Sequence, residues 1–264
     1  MIGRILKLPN DDIRKIVFVA LALCLVCSTV VSVAAVYLRP LQEANAALDQ
    51  KKNILRAAGL LRPGIDVRET FAERIETRIV DLETGEFTDS VDPEGYNQRT
   101  ASRDPELSAA VPRSLDVASI GRRARYAPVY LVFEGDTLQQ IILPVHGYGL
   151  WSTMYGYLSL ESDLNTVAGI TFYDHGETPG LGGEIESTAW QARWVGKRIY
   201  GEDGSVRLRV IKGAVTPSDP EAEYKIDGIS GSTLTGNGVS NTLEYWLGAN
   251  GFGPFLQSVQ KTGV

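Results

Sequence analysis

The sequence predicts an α+β domain behind a single N-terminal transmembrane helix, and three observations support this. An uncharged apolar run, Ile16–Leu38, lies near the N-terminus. Beyond residue 126, short apolar runs and alternating patterns typical of strands are separated by turn residues. Helical patterns lie among them without the regular βαβ alternation of a doubly wound sheet, which favours the α+β class.

Composition narrows the possible partners. The chain has 264 residues, 44% of them hydrophobic, with a formal net charge of -6. That length suffices for one large domain or two small ones. A nucleic-acid surface needs a basic patch to pair with phosphates, and the charge balance argues against one. We therefore expect no nucleic-acid partner.

The uncharged run, residues 16–38, is long enough for a membrane span. At about 1.5 Å per residue it crosses a hydrocarbon core of roughly 30 Å. A signal-peptide core is usually about 7–15 residues, so an uncleaved anchor is favoured, although the residues around Ala35 loosely fit a cleavage site. Lys7, Arg14 and Lys15 outnumber Arg39 close to the helix. This bias predicts a cytoplasmic segment 1–15 and a soluble domain on the periplasmic side.

Both cysteines lie inside this run. Cys24 and Cys27 are one turn apart on one face of the predicted helix. A four-thiolate iron–sulfur site needs more ligands than the chain has. Two small apolar helix residues are the favoured interpretation, and a half-site completed by a neighbouring protein of a complex is the alternative. The rest of the chain has no cysteine, so no disulfide stabilises it.

Residues 39–125 are predicted to form a stalk and a membrane-proximal region. Apolar residues at helical spacing over 41–60 predict a stalk helix. Residues 64–87 predict a short helix followed by a strand. Residues 88–125 are rich in Asp, Pro, Ser and Arg, which predicts an irregular, exposed excursion.

Residues 126–264 are predicted to form the second region, a mixed domain of strands and helices. Its predicted elements are a hairpin over 127–147 turning at Gly135–Asp136, a strand within 166–177 that leads into a glycine-rich loop, a helix over 187–197 with Trp190 and Trp194 on one face, a half-buried strand over 205–213, and a helix over 238–251 capped by Asn237 and stopped by Gly251.

The stretch DGISGSTLTGNGV, residues 227–239, is the first candidate site. Four hydroxyls lie among four glycines just before the last predicted helix, and backbone N–H groups near a helix start suit an anion such as phosphate. The stretch has neither the lysine of a P-loop nor the G-x-G-x-x-G pattern. From the residues alone, a polar turn capping the helix is the favoured alternative to a phosphate-binding loop.

Two further segments could carry chemistry. HGETPGLGGEIES, residues 175–187, must fold tightly and exposes backbone, with His175 and Glu177 at its start. A catalytic base is conceivable there, but a loop hydrogen-bonded to itself is more common. A metal site would need more nitrogen ligands, and the only other histidine is His146. The aromatic residues of segment 146–160 could stack on a flat ligand or form core.

Taken together, these segments carry a resemblance. SGSTLTGNGV resembles the S-G-A-T-x-T flavinylation motif of the FMN-binding domain family. GYGLWSTMYGYL, GITFYDHGETPGLGGEIES, WVGK and IKG occur in the same order as in that family. The set is similar to the flavoprotein C subunits of the sodium-translocating NADH:quinone reductases (Nqr). The resemblance covers the anchor, the stalk and most of residues 126–250, whereas residues 88–125 are the least expected to align.

The resemblance implies one covalent FMN. In the family, the phosphate of FMN is joined as a phosphoester to the hydroxyl of the last threonine of the motif, which here is Thr235 and not Thr233. A separate flavin transferase makes the bond from FAD with magnesium. This sequence has Ser232 where alanine is common and Gly236 where serine is common. Both residues are small, so we expect steric access to survive.

The resemblance also implies a set of cofactor contacts, with no catalytic residue and no metal. The motif residues would surround the phosphate, the loop and Trp151 would line the flavin ring, and Lys212 would offset phosphate charge. The residues are Ser230, Gly231, Ser232, Thr233, Leu234, Trp151, Glu177, Thr178, Leu181, Gly182 and Lys212.

The implied function is electron carriage within a respiratory complex of the bacterial inner membrane, and the chain is not catalytic alone. NADH would be oxidised on another protein of the complex, and electrons would pass through this FMN towards a flavin on the B subunit and ubiquinone. An uncharged single helix forms no sodium path by itself, so ion transport would lie in the partner proteins. The alternatives are the equivalent flavoprotein of the Rnf ferredoxin:NAD complex, and a non-redox phosphate-binding or interaction domain.

Overall fold

The computed structural model describes residues 8–216 and 218–263. The chain forms two compact units, a first that ends at Gln50 and a second that begins at Lys51. Lys7, one of the charges behind the predicted topology, lies outside the described residues, as does the rest of segment 1–7.

Helices frame the second unit and form the first. The longest, α1, carries both the uncharged run and most of the predicted stalk as one uninterrupted helix. It is the one helix within the described ranges that is long and apolar enough to cross a membrane. Its apolar side chains and both cysteines are exposed, as lipid-facing residues would be. The α-helices are α1 (Ile13–Ala57), α2 (Val67–Arg74), α3 (Gln98–Ala101), α4 (Thr188–Gln191), α5 (Thr233–Leu247) and α6 (Gly253–Thr262).

A six-stranded antiparallel sheet is the centre of the second unit, in the order β2-β1-β5-β6-β7-β8. Two further pairs, β3 with β4 and β9 with β10, lie outside it. The strands are β1 (Ile75–Asp81), β2 (Glu86–Phe87), β3 (Ser108–Ala110), β4 (Arg122–Ala124), β5 (Tyr126–Glu134), β6 (Thr137–Tyr148), β7 (Thr153–Glu161), β8 (Val167–Asp174), β9 (Arg209–Val210) and β10 (Lys225–Ile226).

Both faces of the sheet are buried, which explains why its strands read as continuous apolar runs. On β5, Val129 and Leu131 enter the larger core beneath α5 and α6. Their neighbours Tyr130 and Val132 enter a smaller core on the opposite face, where the end of α1 packs. The period-two alternation of strand side chains thus distributes one apolar run between two cores. Full burial of each such side chain contributes about 1.5–3 kcal/mol.

The end of α1 is docked closely on the sheet. Ile54 and Leu55 are buried in the smaller core. A Cβ at Gly169 of β8 would lie 2.3 Å from the carbonyl oxygen of Ala57, so only glycine permits this approach. The predicted stalk therefore ends as a structural part of the second unit.

The predicted fold class and hairpin are confirmed, and so is the short helix followed by a strand within 64–87. Strand β1 belongs to the same sheet as β5–β8, although it precedes residue 126. The predicted division at residue 126 stays a prediction. Residues 88–125 are less irregular than expected, because they contain α3 and the β3–β4 pair.

Two predicted elements are shorter than expected. The predicted helix over 187–197 is one α-helical turn followed by a 3-10 turn, Ala192–Trp194. Trp190 and Trp194 are nevertheless both buried, with their ring centroids 5.2 Å apart in an edge-on arrangement. The predicted strand over 205–213 pairs only at Arg209–Val210, because its partner β10 is itself two residues long. Here alternation records burial rather than a long ladder.

Helix α5 differs at both ends from the prediction. It begins at Thr233 after the N-cap residue Ser232, so Asn237 lies inside the helix and is not its cap. It ends at Leu247 with Gly248 at the C-cap, so Gly251 is not its stop. Strand β7 and helix α6 have no counterpart among the predicted elements.

Candidate functional site: a buried threonine–glutamate pair

The candidate site is built on the first turn of α5. Ser232 precedes the helix and makes no side-chain capping hydrogen bond to any residue that the structure describes. The first backbone N–H groups of a helix have no partner inside the helix, and they give its N-terminus a partial positive charge. Thr235 lies in this first turn, where an anionic group is stabilised.

Two glycines let α5 approach the sheet. A Cβ at Gly238 would lie 2.5 Å from the carbonyl oxygen of Tyr148, at the end of β6. A Cβ at Gly236 would lie 3.1 Å from Cγ1 of Val210. A helical glycine costs about 1 kcal/mol relative to alanine, and this close packing offsets the cost. The same glycines made the segment resemble a loop, so the helix start was predicted too late.

The first turn places the Thr235 hydroxyl against a carboxylate. Oγ1 of Thr235 donates a hydrogen bond of 2.6 Å to Oε2 of Glu177. Both residues are buried, with exposed fractions of 0% and 4%. The other carboxylate oxygen, Oε1, accepts from the amides of Leu150 at 3.0 Å, Trp151 at 2.9 Å and, more weakly, Ser152 at 3.4 Å. Glu177 thus joins the segment after β6 to the start of α5.

These contacts keep Glu177 charged. Burial by itself would raise the pKa of its carboxyl group, because it disfavours the anion. The hydrogen bonds from the Thr235 hydroxyl and from the amides of Trp151, Leu150 and Ser152 outweigh burial and hold that pKa below its ordinary value. The carboxylate is therefore ionised at neutral pH.

Gly182 covers the pair. A Cβ there would lie 2.5 Å from Oγ1 of Thr235 and 2.8 Å from Oε2 of Glu177. On the opposite side, a Cβ at Gly149 would lie 2.6 Å from Oε1 of Glu177. Only residues without a side chain fit at either position. Because the Thr235 hydroxyl is buried, a reagent reaches it only when residues 178–183 move aside, which the small size of Ser232 and Gly236 did not indicate.

A cavity of about 440 Å³ adjoins this pair on the side of the motif. Its volume is in the range of small-molecule sites, roughly 300–1,000 Å³. Arg193 and Asp227 form an ion pair of 2.6 Å at its wall. Neither Thr235 nor Glu177 lines it. Five residues proposed as cofactor contacts from the sequence do line it: Ser230, Gly231, Ser232, Thr233 and Lys212.

The remaining predicted contacts lie on the surface around the buried pair. Trp151, Leu181 and Leu234 expose 64%, 43% and 59% of their surface. Thr178 is also exposed. A Cβ at Gly231 would lie 3.0 Å from Cδ2 of Leu181, so the glycine-rich loop contacts the motif there. The structure therefore brings loop and motif together, with an apolar surface beside them.

The histidines have structural surroundings. Nδ1 of His175 accepts a hydrogen bond of 3.1 Å from the amide of Glu177, and Nε2 lies 2.9 Å from a Glu186 oxygen outside hydrogen-bond geometry. His146 packs against Tyr155 and Trp246, and burial lowers its pKa to about 4. Across the described ranges, no group of three or more His, Cys, Asp or Glu side chains is placed to hold a metal.

Sequence reasoning missed the residues that complete the site. Gly149 and the amides of Leu150 and Ser152 hold Glu177, yet their segment drew attention only for its aromatic residues. Arg193 and Asp227 line the cavity. Asp227, the only charge within residues 227–239, was the available signal for that cavity.

Comparison with known proteins gives consistent results. Residues 149–248 match the model of the FMN-binding domain family. The C subunit of the Na(+)-translocating NADH-quinone reductase of Pseudomonas aeruginosa is 50% identical over 255 residues, covering 96% of this chain and 98% of the relative. The same protein of Vibrio alginolyticus is 50% identical, covering 95% and 96%. The crystal structure of Shewanella oneidensis NqrC superposes with a TM-score of 0.75 at 33% identity, covering 81% of this chain and 97% of that one.

Proposed function

The chain belongs to the NqrC family, the C subunits of the Na(+)-translocating NADH-quinone reductases, and from this premise we propose that it carries electrons through one FMN joined by a phosphoester to Thr235. The family resemblance drawn from the sequence is thereby confirmed, and the chain contains the FMN-binding domain of a protein that belongs to an oxidoreductase complex. The equivalent flavoprotein of the Rnf complex has no observation in its favour here.

One observation carries the choice of Thr235. Among the hydroxyls of the motif, that of Thr235 donates to a buried carboxylate, Glu177, which can take up a proton. Thr233 is exposed and lines the adjoining cavity instead. Thr235 also lies in the first turn of α5, where the backbone N–H groups stabilise the negative charge of a phosphodiester.

The residues around Thr235 fit FMN. The uncapped helix start and Lys212 suit the phosphate, and the cavity beside them has room for a polar chain. The exposed side chains of Trp151, Leu181 and Leu234 suit the flat apolar ring. When bound, the flavin would supply reversible electron transfer. The protein would hold it, orient it and tune its potential through local charge and hydrogen bonds.

We assign the remaining features on the same basis. Helix α1 anchors the chain in the bacterial inner membrane, with the second unit on the periplasmic side. The partners are the other proteins of the Nqr complex, the B subunit above all, and a flavin transferase for maturation. A covalent bond is useful for a redox group outside the membrane, because it prevents loss by dissociation.

Producing the chain with and without a flavin transferase tests the proposal. Wild type, Thr235→Ala and Thr233→Ala are compared by denaturing gel electrophoresis under ultraviolet light and by intact mass. We expect flavin fluorescence and added mass in wild type and Thr233→Ala, and neither in Thr235→Ala. A dark wild-type band without added mass would favour a non-redox phosphate-binding or interaction domain.

A further inference from the structure

The Thr235–Glu177 pair has the geometry of a nucleophile beside its base. The hydroxyl oxygen that would form the phosphoester lies 2.6 Å from a carboxylate oxygen, and the hydroxyl proton points at it. A candidate base must be within about 2.6–3.2 Å of the proton it takes. In protein kinases an Asp carboxylate does the same for the attacking hydroxyl in phosphoryl transfer.

We propose that Glu177 accepts the proton of the Thr235 hydroxyl when the phosphoester forms, so that this chain supplies part of the chemistry of its own flavin attachment. The inference rests on the proposed function. Oγ1 of Thr235 bonds to the phosphorus on the FMN side of FAD. The bond from that phosphorus to the bridging oxygen breaks, AMP leaves with the electron pair, and the proton passes to Oε2 of Glu177. No oxidation or reduction is involved.

The anchoring of Glu177 suits this role. Its Oε1 is held by the amides of residues 150–152, which belong to the segment between β6 and β7 and not to the covering loop. Residues 178–183 can therefore move away from Thr235 while the carboxylate stays in place. The lowered pKa of Glu177 keeps it ionised, and so able to take a proton, at neutral pH.

The two oxygens of the carboxylate have separate tasks. Three amide donors fix Oε1, and Oε2 faces Thr235. A glutamine at this position could keep the amide contacts through its carbonyl oxygen but could not accept a proton. Glu177→Gln thus removes the proposed chemistry while preserving most of the packing. Glu184→Gln is the matched control, because Glu184 is an exposed carboxylate in the same segment.

The experiment measures the rate of flavin transfer to the purified full-length chain. Wild type, Glu177→Gln, Glu177→Asp and Glu184→Gln, each produced without the transferase, are mixed with transferase, FAD and magnesium. Intact mass is followed with time, and circular dichroism checks the fold. We expect the rate of Glu177→Gln to fall at least about 100-fold, the lower range for general base catalysis. Glu184→Gln should keep the wild-type rate.

Glu177→Asp separates chemistry from packing. Asp keeps a carboxylate but is shorter, whereas Gln keeps the shape and loses the base. If Glu177 takes the proton, Asp retains more of the rate than Gln. Transfer to Glu177→Gln at the wild-type rate, or faster than to Glu177→Asp, would overturn the inference and leave the proposed function standing. Absence of transfer to wild type would instead contradict the proposed function itself.

Discussion

At the scale of single residues, the site depends on one contact between parts of the chain that are 58 residues apart, Thr235 and Glu177. The family resemblance indicated both residues, one as the attachment point and one as a wall of the ring. Their hydrogen bond was not predicted, because it depends on how the loop packs against α5. The amide donors that hold Glu177 are backbone groups, which leave no mark in residue types.

The charge of Glu177 links stability to pH. Its pKa is lowered in the folded state, so ionised Glu177 stabilises the fold above its ordinary pKa of 4.5. That contribution is lost as the pH falls through the lower folded value. We expect wild type to be more stable than Glu177→Gln at neutral pH, with the difference narrowing in acid.

Thermal unfolding midpoints in detergent, measured from neutral pH to well below 4.5, test this linkage. Glu184→Gln serves as the control, since its carboxylate is exposed and its difference from wild type should stay small throughout. A gap between wild type and Glu177→Gln that is the same at every pH would contradict the assignment of a buried, ionised carboxylate.

At the scale of elements, long periodic segments were predicted well and short or glycine-containing ones were not. The hairpin of β5 and β6 follows from two apolar runs around a turn. Strand β7 was missed because its aromatic residues suggested a ligand surface. The start of α5 was missed because its glycines suit a loop, and only the sheet behind it explains them.

Substitution of those glycines tests this explanation of α5. Gly238→Ala places a Cβ 2.5 Å from the backbone oxygen of Tyr148, which has little freedom to move. We expect a loss of about 1–3 kcal/mol in the free energy of unfolding. Gly236→Ala meets only the Val210 side chain, at 3.1 Å, and gains helix propensity. Its effect should be within about 1 kcal/mol of zero.

Chemical denaturation of the two variants beside wild type gives the comparison directly. The prediction lies in the order of the two effects, because both variants make the same chemical change in one helix. A Gly236→Ala variant less stable than Gly238→Ala would show that the packing of α5 on the end of β6 is not what requires these glycines.

At the scale of the whole molecule, the fold class could be predicted because its signals are long: an uncharged helix and a series of apolar runs. The share of the sheet that lies before residue 126 could not, since pairing between β1 and β5 is a tertiary event. The side of the membrane is a matter of flanking charge, and it stays a prediction.

Labelling of intact cells tests that orientation. Ser162 is exposed in the turn between β7 and β8, so Ser162→Cys should react with a membrane-impermeant maleimide if the second unit is periplasmic. Wild type is the control, because Cys24 and Cys27 lie within the uncharged run and should be shielded by lipid. Labelling of Ser162→Cys only after the cells are opened would place the second unit in the cytoplasm.

Peptide mass spectrometry of the protein produced with its flavin transferase tests the flavin attachment most directly. The fragment that contains residues 227–239 carries all four candidate hydroxyls, Ser230, Ser232, Thr233 and Thr235. We expect one flavin phosphate on this fragment, at Thr235. A flavin at any of the other three hydroxyls, or an unmodified fragment, would contradict the assignment of Thr235 as the residue that carries FMN.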